Sequence, residues 1–119
     1  MSTKIEKDPH GKDPHEKGAK VDAGKIQVGL LFGDFPRALM AVAKIATFGA
    51  EKYTAHGWLE VPNGIERYDH AKNRHILYGS MDPVDPDSGE LHLSHECWNA
   101  LAKLELVLRK QEEDSKSAK

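Results

Sequence analysis

The sequence predicts a mostly α-helical fold, a small bundle of about three main helices, and three observations predict it. Apolar residues recur at helical spacing in three separate stretches. Each stretch is bracketed by proline, glycine or asparagine. No alternating stretch longer than a few residues is present, which argues against a sheet. At 119 residues the chain fits one domain, whose folded part is expected at residues 18–110.

The first seventeen residues differ from the rest. Lys7-Asp8-Pro9-His10 recurs as Lys12-Asp13-Pro14-His15 within a stretch of charge, proline and glycine. Too little apolar surface is available there to offset the entropy of ordering, so residues 1–17 read as a flexible, solvated arm. Lys25 to Phe32 reads as a short strand or an extended segment lying across the helices. A first helix is expected from about Pro36 to Thr47, with Asp34 as N-cap, Leu39, Val42, Ala43 and Ala46 as the inner face, and Gly49 as the stop.

A second helix is expected from about Gly64 to Tyr78, after Pro62-Asn63. Its inner stripe runs through Ile65, Tyr68, Ala71 or Lys72, and His75 or Ile76; it is thin and polar groups interrupt it. The third and longest runs from about Ser88 to Lys110, where Asp87 and Glu90 have capping-box spacing. Leu91, Trp98, Leu101, Leu104, Val107 and Leu108 are expected to supply most of its burial. Residues 111–119 read as a polar C-terminal tail. At ~1.5–3 kcal/mol per buried large apolar side chain, a core this small barely exceeds the cost of ordering the chain. The long helix is therefore expected to pack against a partner subunit in a homo-oligomer.

Composition narrows the function classes. Seventeen basic and nineteen acidic residues leave a formal charge of −2, too little field to gather duplex nucleic acid. The single cysteine, Cys97, excludes an internal disulfide framework and fits a reducing cytoplasm. No apolar run approaches the ~18 residues of a membrane span, and no secretory signal is evident, so a soluble protein without a membrane partner is expected.

Polar groups within the helices carry the candidate chemistry. His92, His95 and Asn99 lie at i, i+3 and i+7 and share a helix face, while Arg67, Arg74 and His75 can face the same groove. Lys52, Tyr53 and Trp58 sit in the intervening loop, where a cation and an aromatic can close a pocket. Guanidinium forks hold phosphate oxygens and rings stack on a base, so a small-molecule nucleotide is the ligand this set suits. Each signal also has a plainer meaning: a structural histidine pair, a tryptophan covering a core edge, arginines paired with surface acids. Two metal sets compete. Glu66 and Asp69 form a Glu-x-x-Asp pair, with Glu96 and Asn99 the nearest second set for magnesium. Alternatively His75, His92 and His95 combine with one of Asp82, Asp85 or Asp87, of which Asp87 is the one taken as a ligand, in a site better suited to zinc, manganese or iron.

Several elements then complete a pattern. They are Gly18-Ala19-Lys20-Val21-Asp22-Ala23-Gly24-Lys25, Thr47-Phe48-Gly49-Ala50-Glu51-Lys52-Tyr53, Gly57-Trp58, Arg67-Tyr68 and Arg74-His75. Asp85-Pro86-Asp87-Ser88-Gly89 and His92-x-x-His95 with Trp98-Asn99-Ala100-Leu101 follow. In this order and spacing, over residues 18 to about 108, the chain resembles a small-protein family common in bacteriophages. That family is labelled as a dATP/dGTP diphosphohydrolase domain of the MazG-like all-α group. The resemblance implies metal-dependent hydrolysis of purine deoxynucleoside triphosphates to monophosphate and pyrophosphate, with Mg²⁺ or Mn²⁺, in the cytoplasm of a phage-infected bacterial cell. On that reading Glu66, Asp69, Glu96 and His75 are catalytic candidates, and Lys52, Tyr53, Trp58, Arg67, Arg74 and Asn99 bind the nucleotide. His92, His95 and Asp87 are the candidates for metal ligation. The Glu-x-x-Glu motif of the MazG group is absent, and His70 stands where the family pattern has an aspartate. The alternative from another class is a non-catalytic sponge that sequesters cyclic oligonucleotides or ADP-ribose derivatives as an anti-defence protein.

Overall fold

The computed structural model describes residues 6–118. The chain divides into two units, Met1–Asp34 and Phe35–Lys119. Among the described residues it is helical, with no strand and one isolated antiparallel bridge between Val84 and Leu91. No helix among the described residues is long and apolar enough to cross a membrane.

In the first unit, turns close on backbone hydrogen bonds at Asp8–Gly11 and Asp13–Glu16. The Asp8 carboxylate accepts from the amides of His10 and Lys20, both at 2.7 Å, so residues 8–20 form a local loop anchored on one side chain. The segment expected to be strand or extended instead ends in α1, the six-residue helix Gly29–Asp34. Asp34 thus closes α1 and does not cap the helix that follows.

The second unit begins with α2, Pro36–Lys52. Pro36 sits at its start, where the missing N–H is no loss, and Phe35 takes the N-cap position without a side-chain cap. The helix passes through Gly49 and ends a turn later, where the Tyr53 amide bonds the Gly49 carbonyl. Its inner face carries Leu39 and Val42 as expected, but Ile45 and Phe48 replace the exposed Ala43 and Ala46. Larger side chains take the inward positions because they bury more area per residue. A single 3-10 turn, Gly57–Glu60, then leads into α3, Gly64–Met81.

The last helix, α4, is His92–Ser117. It starts four residues later than the capping-box spacing suggests, with Leu91 as N-cap and no side-chain cap. The residues before it close a separate loop. Asp85 N–H donates to Glu90 carbonyl, Gly89 N–H donates to Asp85 carbonyl, and His92 N–H donates to Pro83 carbonyl. Gly89 occupies the left-handed region at φ 74°, which permits the reversal. At the other end α4 runs through the expected polar tail, carried by i,i+4 pairs Glu105–Arg109, Lys110–Asp114 and Glu112–Lys116.

α3 and α4 pack antiparallel, and the glycines show how closely. A Cβ on Gly64 would meet Leu106 Cδ1 at 2.9 Å, and one on Gly79 would meet His92 Cβ at 3.3 Å. Between these points Trp58, Tyr68 and Trp98 form an edge-to-face cluster with centroids 5.6–6.0 Å apart. The Tyr68 hydroxyl donates to the Trp58 carbonyl at 2.7 Å. Ile45 and Ala102 are the only apolar residues that are buried outright among those described. Leu91, Leu101, Leu104 and Leu108, expected inside, are each about half exposed. The cluster therefore carries much of the apolar packing. Trp98→Ala is expected to lower the unfolding free energy by about 3 kcal/mol in urea titrations, and Tyr68→Phe by about 1 kcal/mol.

Candidate functional site

Beyond the aromatic cluster, the α3–α4 seam becomes polar. His75 and Tyr78 face it from the last turns of α3, and His92 and His95 from the first turn of α4. His75 Nδ1 lies 2.9 Å from His92 Nδ1, so one ring donates and the other accepts. The His75 and His95 rings are stacked, 4.5 Å between centroids and 10° between planes. Phe48 of α2 meets the edge of His95 at 6.2 Å.

The loop before α4 supplies the carboxylate. Asp85 Oδ2 lies 3.0 Å from His95 Nε2, with both side chains nearly nine-tenths buried. Ser88 Oγ lies 2.6 Å from the same nitrogen and donates to Asp85 Oδ2 at 3.1 Å. The Ser88 oxygen also accepts from the Glu90 amide. A Ser-His-Asp nucleophile needs serine and aspartate on opposite ring nitrogens. Here both engage Nε2, and the serine hydrogen is directed to the aspartate, so Ser88 is a bridge and not an activated nucleophile.

Burial and neighbouring charges favour the neutral forms of His75 and His95. Burial, then the neighbouring His95 and His92, lower the His75 pKa to about 4. Burial also lowers that of His95, against the opposing pull of Asp85. For Asp85, burial works upward but is outweighed by the Asp87 amide, the Ser88 hydroxyl and the histidines; its pKa ends below the usual carboxylate value. An ionised Asp85 accepting from a neutral His95 satisfies both shifts. A neutral imidazole at the half-buried His75 can accept a proton from a bound molecule or water at ordinary pH.

The sequence candidates divide sharply. His75, His92 and His95 come together, but their carboxylate partner is Asp85. Asp87 instead binds Lys52 Nζ at 2.6 Å. Lys52 also lies over the rings of Phe48 and Tyr53, which ties the end of α2 to the Asp85 loop, while Tyr53 itself is largely exposed. Trp58 is packed in the aromatic cluster. Asn99 is buried and its amide donates back to the His95 carbonyl at 2.8 Å, steadying the helix behind that ring. Glu96 is half-buried beside His95. Arg74 is exposed next to His75, and Arg67 is exposed with its guanidinium on the Pro62 carbonyl.

The expected acid pair is engaged elsewhere. Asp69 bonds both Lys103 and Lys72, at 2.9 and 3.0 Å, which lowers its pKa to about 2. Glu66 accepts from Asn63 and pairs with His70. Among the described residues no group of three or more His, Cys, Asp or Glu converges as a metal cage. A magnesium set built on Glu66, Asp69 and Glu96 therefore does not fit this arrangement. Ser88 and Phe48 are members of the cluster that spacing alone did not single out. The one available signal was Asp85-Pro86-Asp87-Ser88-Gly89, a turn-forming run directly before His92.

The half-buried His75 makes stability pH-dependent. The folded pKa of His75 lies below its unfolded value near 6.5, so the unfolded chain binds more protons between those values. Its contribution is present in full above about pH 6.5 and is lost as pH falls toward 4. Chemical denaturation across this range is expected to show falling stability, and His75→Gln should flatten that dependence.

Comparison with known proteins agrees with the resemblance in the sequence. The family described as "dATP/dGTP diphosphohydrolase, N-terminal" matches residues 15–116. No curated protein and no solved structure matches. The match takes in all of α1 to α4 but the last residue of α4, together with the histidine seam and its loop. The chain belongs to the dATP/dGTP diphosphohydrolase N-terminal domain family.

Proposed function

We propose that this protein binds purine (deoxy)nucleoside triphosphates and hydrolyses them to the monophosphate and pyrophosphate, with the Asp85–His95–His75 cluster as its proton-handling centre. The family supports the substrate class. The observation that carries the chemistry is the seam of neutral imidazoles backed by an ionised carboxylate. A neutral imidazole accepts the proton of a water attacking the α-phosphorus, and pyrophosphate leaves as the bond from that phosphorus to the bridging oxygen breaks. Asp85 stabilises the charge that develops on His95. On this reading Arg74, exposed and adjacent to His75 in sequence, is the cation assigned to the phosphate oxygens. Divalent metal enters as part of the substrate, since triphosphates carry Mg²⁺ or Mn²⁺ in the cytoplasm of a bacterial cell.

A second reading is sequestration without turnover, in which a phage protein holds a cyclic oligonucleotide or an ADP-ribose derivative away from bacterial immunity. Engagement of Asp69 by two lysines and of Glu66 by Asn63 and His70 favours it, because a sponge needs no acid pair.

One experiment separates the two. The protein is incubated with dNTPs, cyclic oligonucleotides and ADP-ribose compounds, with and without Mg²⁺ or Mn²⁺, and products are identified by mass spectrometry before and after heating. Monophosphate plus pyrophosphate from dATP or dGTP is the expected result. Asp85→Asn and His75→Gln should each reduce turnover by roughly 10²-fold or more, whereas Glu66→Gln with Asp69→Asn should retain it. A ligand that disappears from solution and returns intact on heating would establish the sponge instead.

A further inference from the structure

A nucleotide held by its phosphates still needs a surface for its base, and an aromatic ring supplies one because every base has a π-face. The aromatic side chains of the second unit differ in what they have free. Trp58, Tyr68 and Trp98 pack on one another and are part-buried. Phe48 meets the edge of His95 but has Lys52 Nζ 5.6 Å from its ring centre. Tyr53 shares that lysine, at 5.5 Å. Phe35 lies at the other end of α2 from Lys52. Tyr78 is different. It meets His75 at 6.5 Å and His92 at 5.8 Å between ring centroids, yet it is 43% exposed. The planes cross at 82° and 61°, so neither imidazole lies flat on the tyrosine ring, and neither takes the contact a base would make. The two edge contacts also hold the ring in one orientation, which reduces the ordering a ligand must impose.

Position along α3 agrees with that role. Tyr78 follows Arg74 by four residues and His75 by three, so it falls between them in angle and about one turn further along the helix. The cation and the imidazole come first and the aromatic ring comes next, which is the order of phosphate, sugar and base along a nucleotide. A Cβ on the adjacent Gly79 would meet His92 Cβ at 3.3 Å, so α3 is pressed against α4 at this turn and the exposed Tyr78 stands at the rim of the seam. We propose that Tyr78 is the platform on which the base stacks and that it sets a preference for purines over pyrimidines, an assignment that rests on the nucleotide reading above. A purine offers the larger π-face, so a stacking platform favours it without any hydrogen bond to the base edge.

The test compares ligands with and without a base on the full chain. Isothermal titration in Mg²⁺ uses the α,β-methylene analogues of dATP and dCTP, which cannot release pyrophosphate, and inorganic tripolyphosphate, which has no base. The unmodified protein is expected to bind the dATP analogue more tightly than the dCTP analogue. Tyr78→Ala should weaken the dATP analogue roughly ten-fold or more and abolish that preference, while Tyr78→Phe keeps both. Tripolyphosphate should bind all three proteins equally, which also shows that the variants are folded. If Tyr78→Ala binds the dATP analogue as tightly as the unmodified protein does, the assignment of Tyr78 is overturned and the nucleotide reading stands. Equal losses for the analogue and for tripolyphosphate would overturn it too, since Tyr78 would then only support the seam. An unmodified protein that binds neither nucleotide analogue would overturn the assignment together with the nucleotide reading.

Discussion

The antiparallel contact of α3 with α4 is the constraint on which the rest of the molecule depends. It is close at both ends because glycine lets it be, with Gly64 against Leu106 and Gly79 against His92. A side chain at either point would require its neighbour to give way by some tenths of an ångström. Between the glycines the seam divides into two chemistries. One end holds Trp58, Tyr68 and Trp98, and the other holds His75, His92 and His95. Packing at the first end sets the register that brings the imidazoles together at the second.

Such a seam trades apolar burial for polar specificity. Three imidazoles and a carboxylate occupy space that aliphatic side chains would fill in a bundle built only for stability. A buried polar group is tolerable when its partners are in place. Here they are: Asp85 accepts from Ser88 and His95, Asn99 returns to the helix backbone, and no buried side-chain polar atom is left without a partner among the described residues. The consequence is a folded state poor in buried apolar side chains and sensitive to acid through His75. Stability and site chemistry are thus drawn from the same few side chains.

Much of the architecture was legible from local pattern. Pro36, Asn63-Gly64 and the Asp82–Gly89 run punctuate the chain where helices start or stop, and α2, α3 and α4 lie close to their expected places. The errors have specific causes. Asp87 and Glu90 match a capping box in spacing, but Gly89 and the hydrogen bonds of Asp85 close a loop there first. The leucines of α4 are a genuine apolar face, but spacing cannot say which of two faces a single chain uses. Asp69 and Glu66 had the spacing of ligands, but Lys103 lies 34 residues from Asp69 and only folding brings it there.

By itself the sequence determined the helical class, the family, and the concentration of histidines in the second and third helical patterns, because periodicity, turn residues and motif order are local properties. Only the tertiary structure decided which acid meets which imidazole. Asp85 and Asp87 are chemically identical and two residues apart, yet one is turned inward to His95 and the other outward to Lys52. That choice is made by the loop's backbone hydrogen bonds and by the antiparallel register of α3 and α4, which depend on contacts between residues distant in the chain.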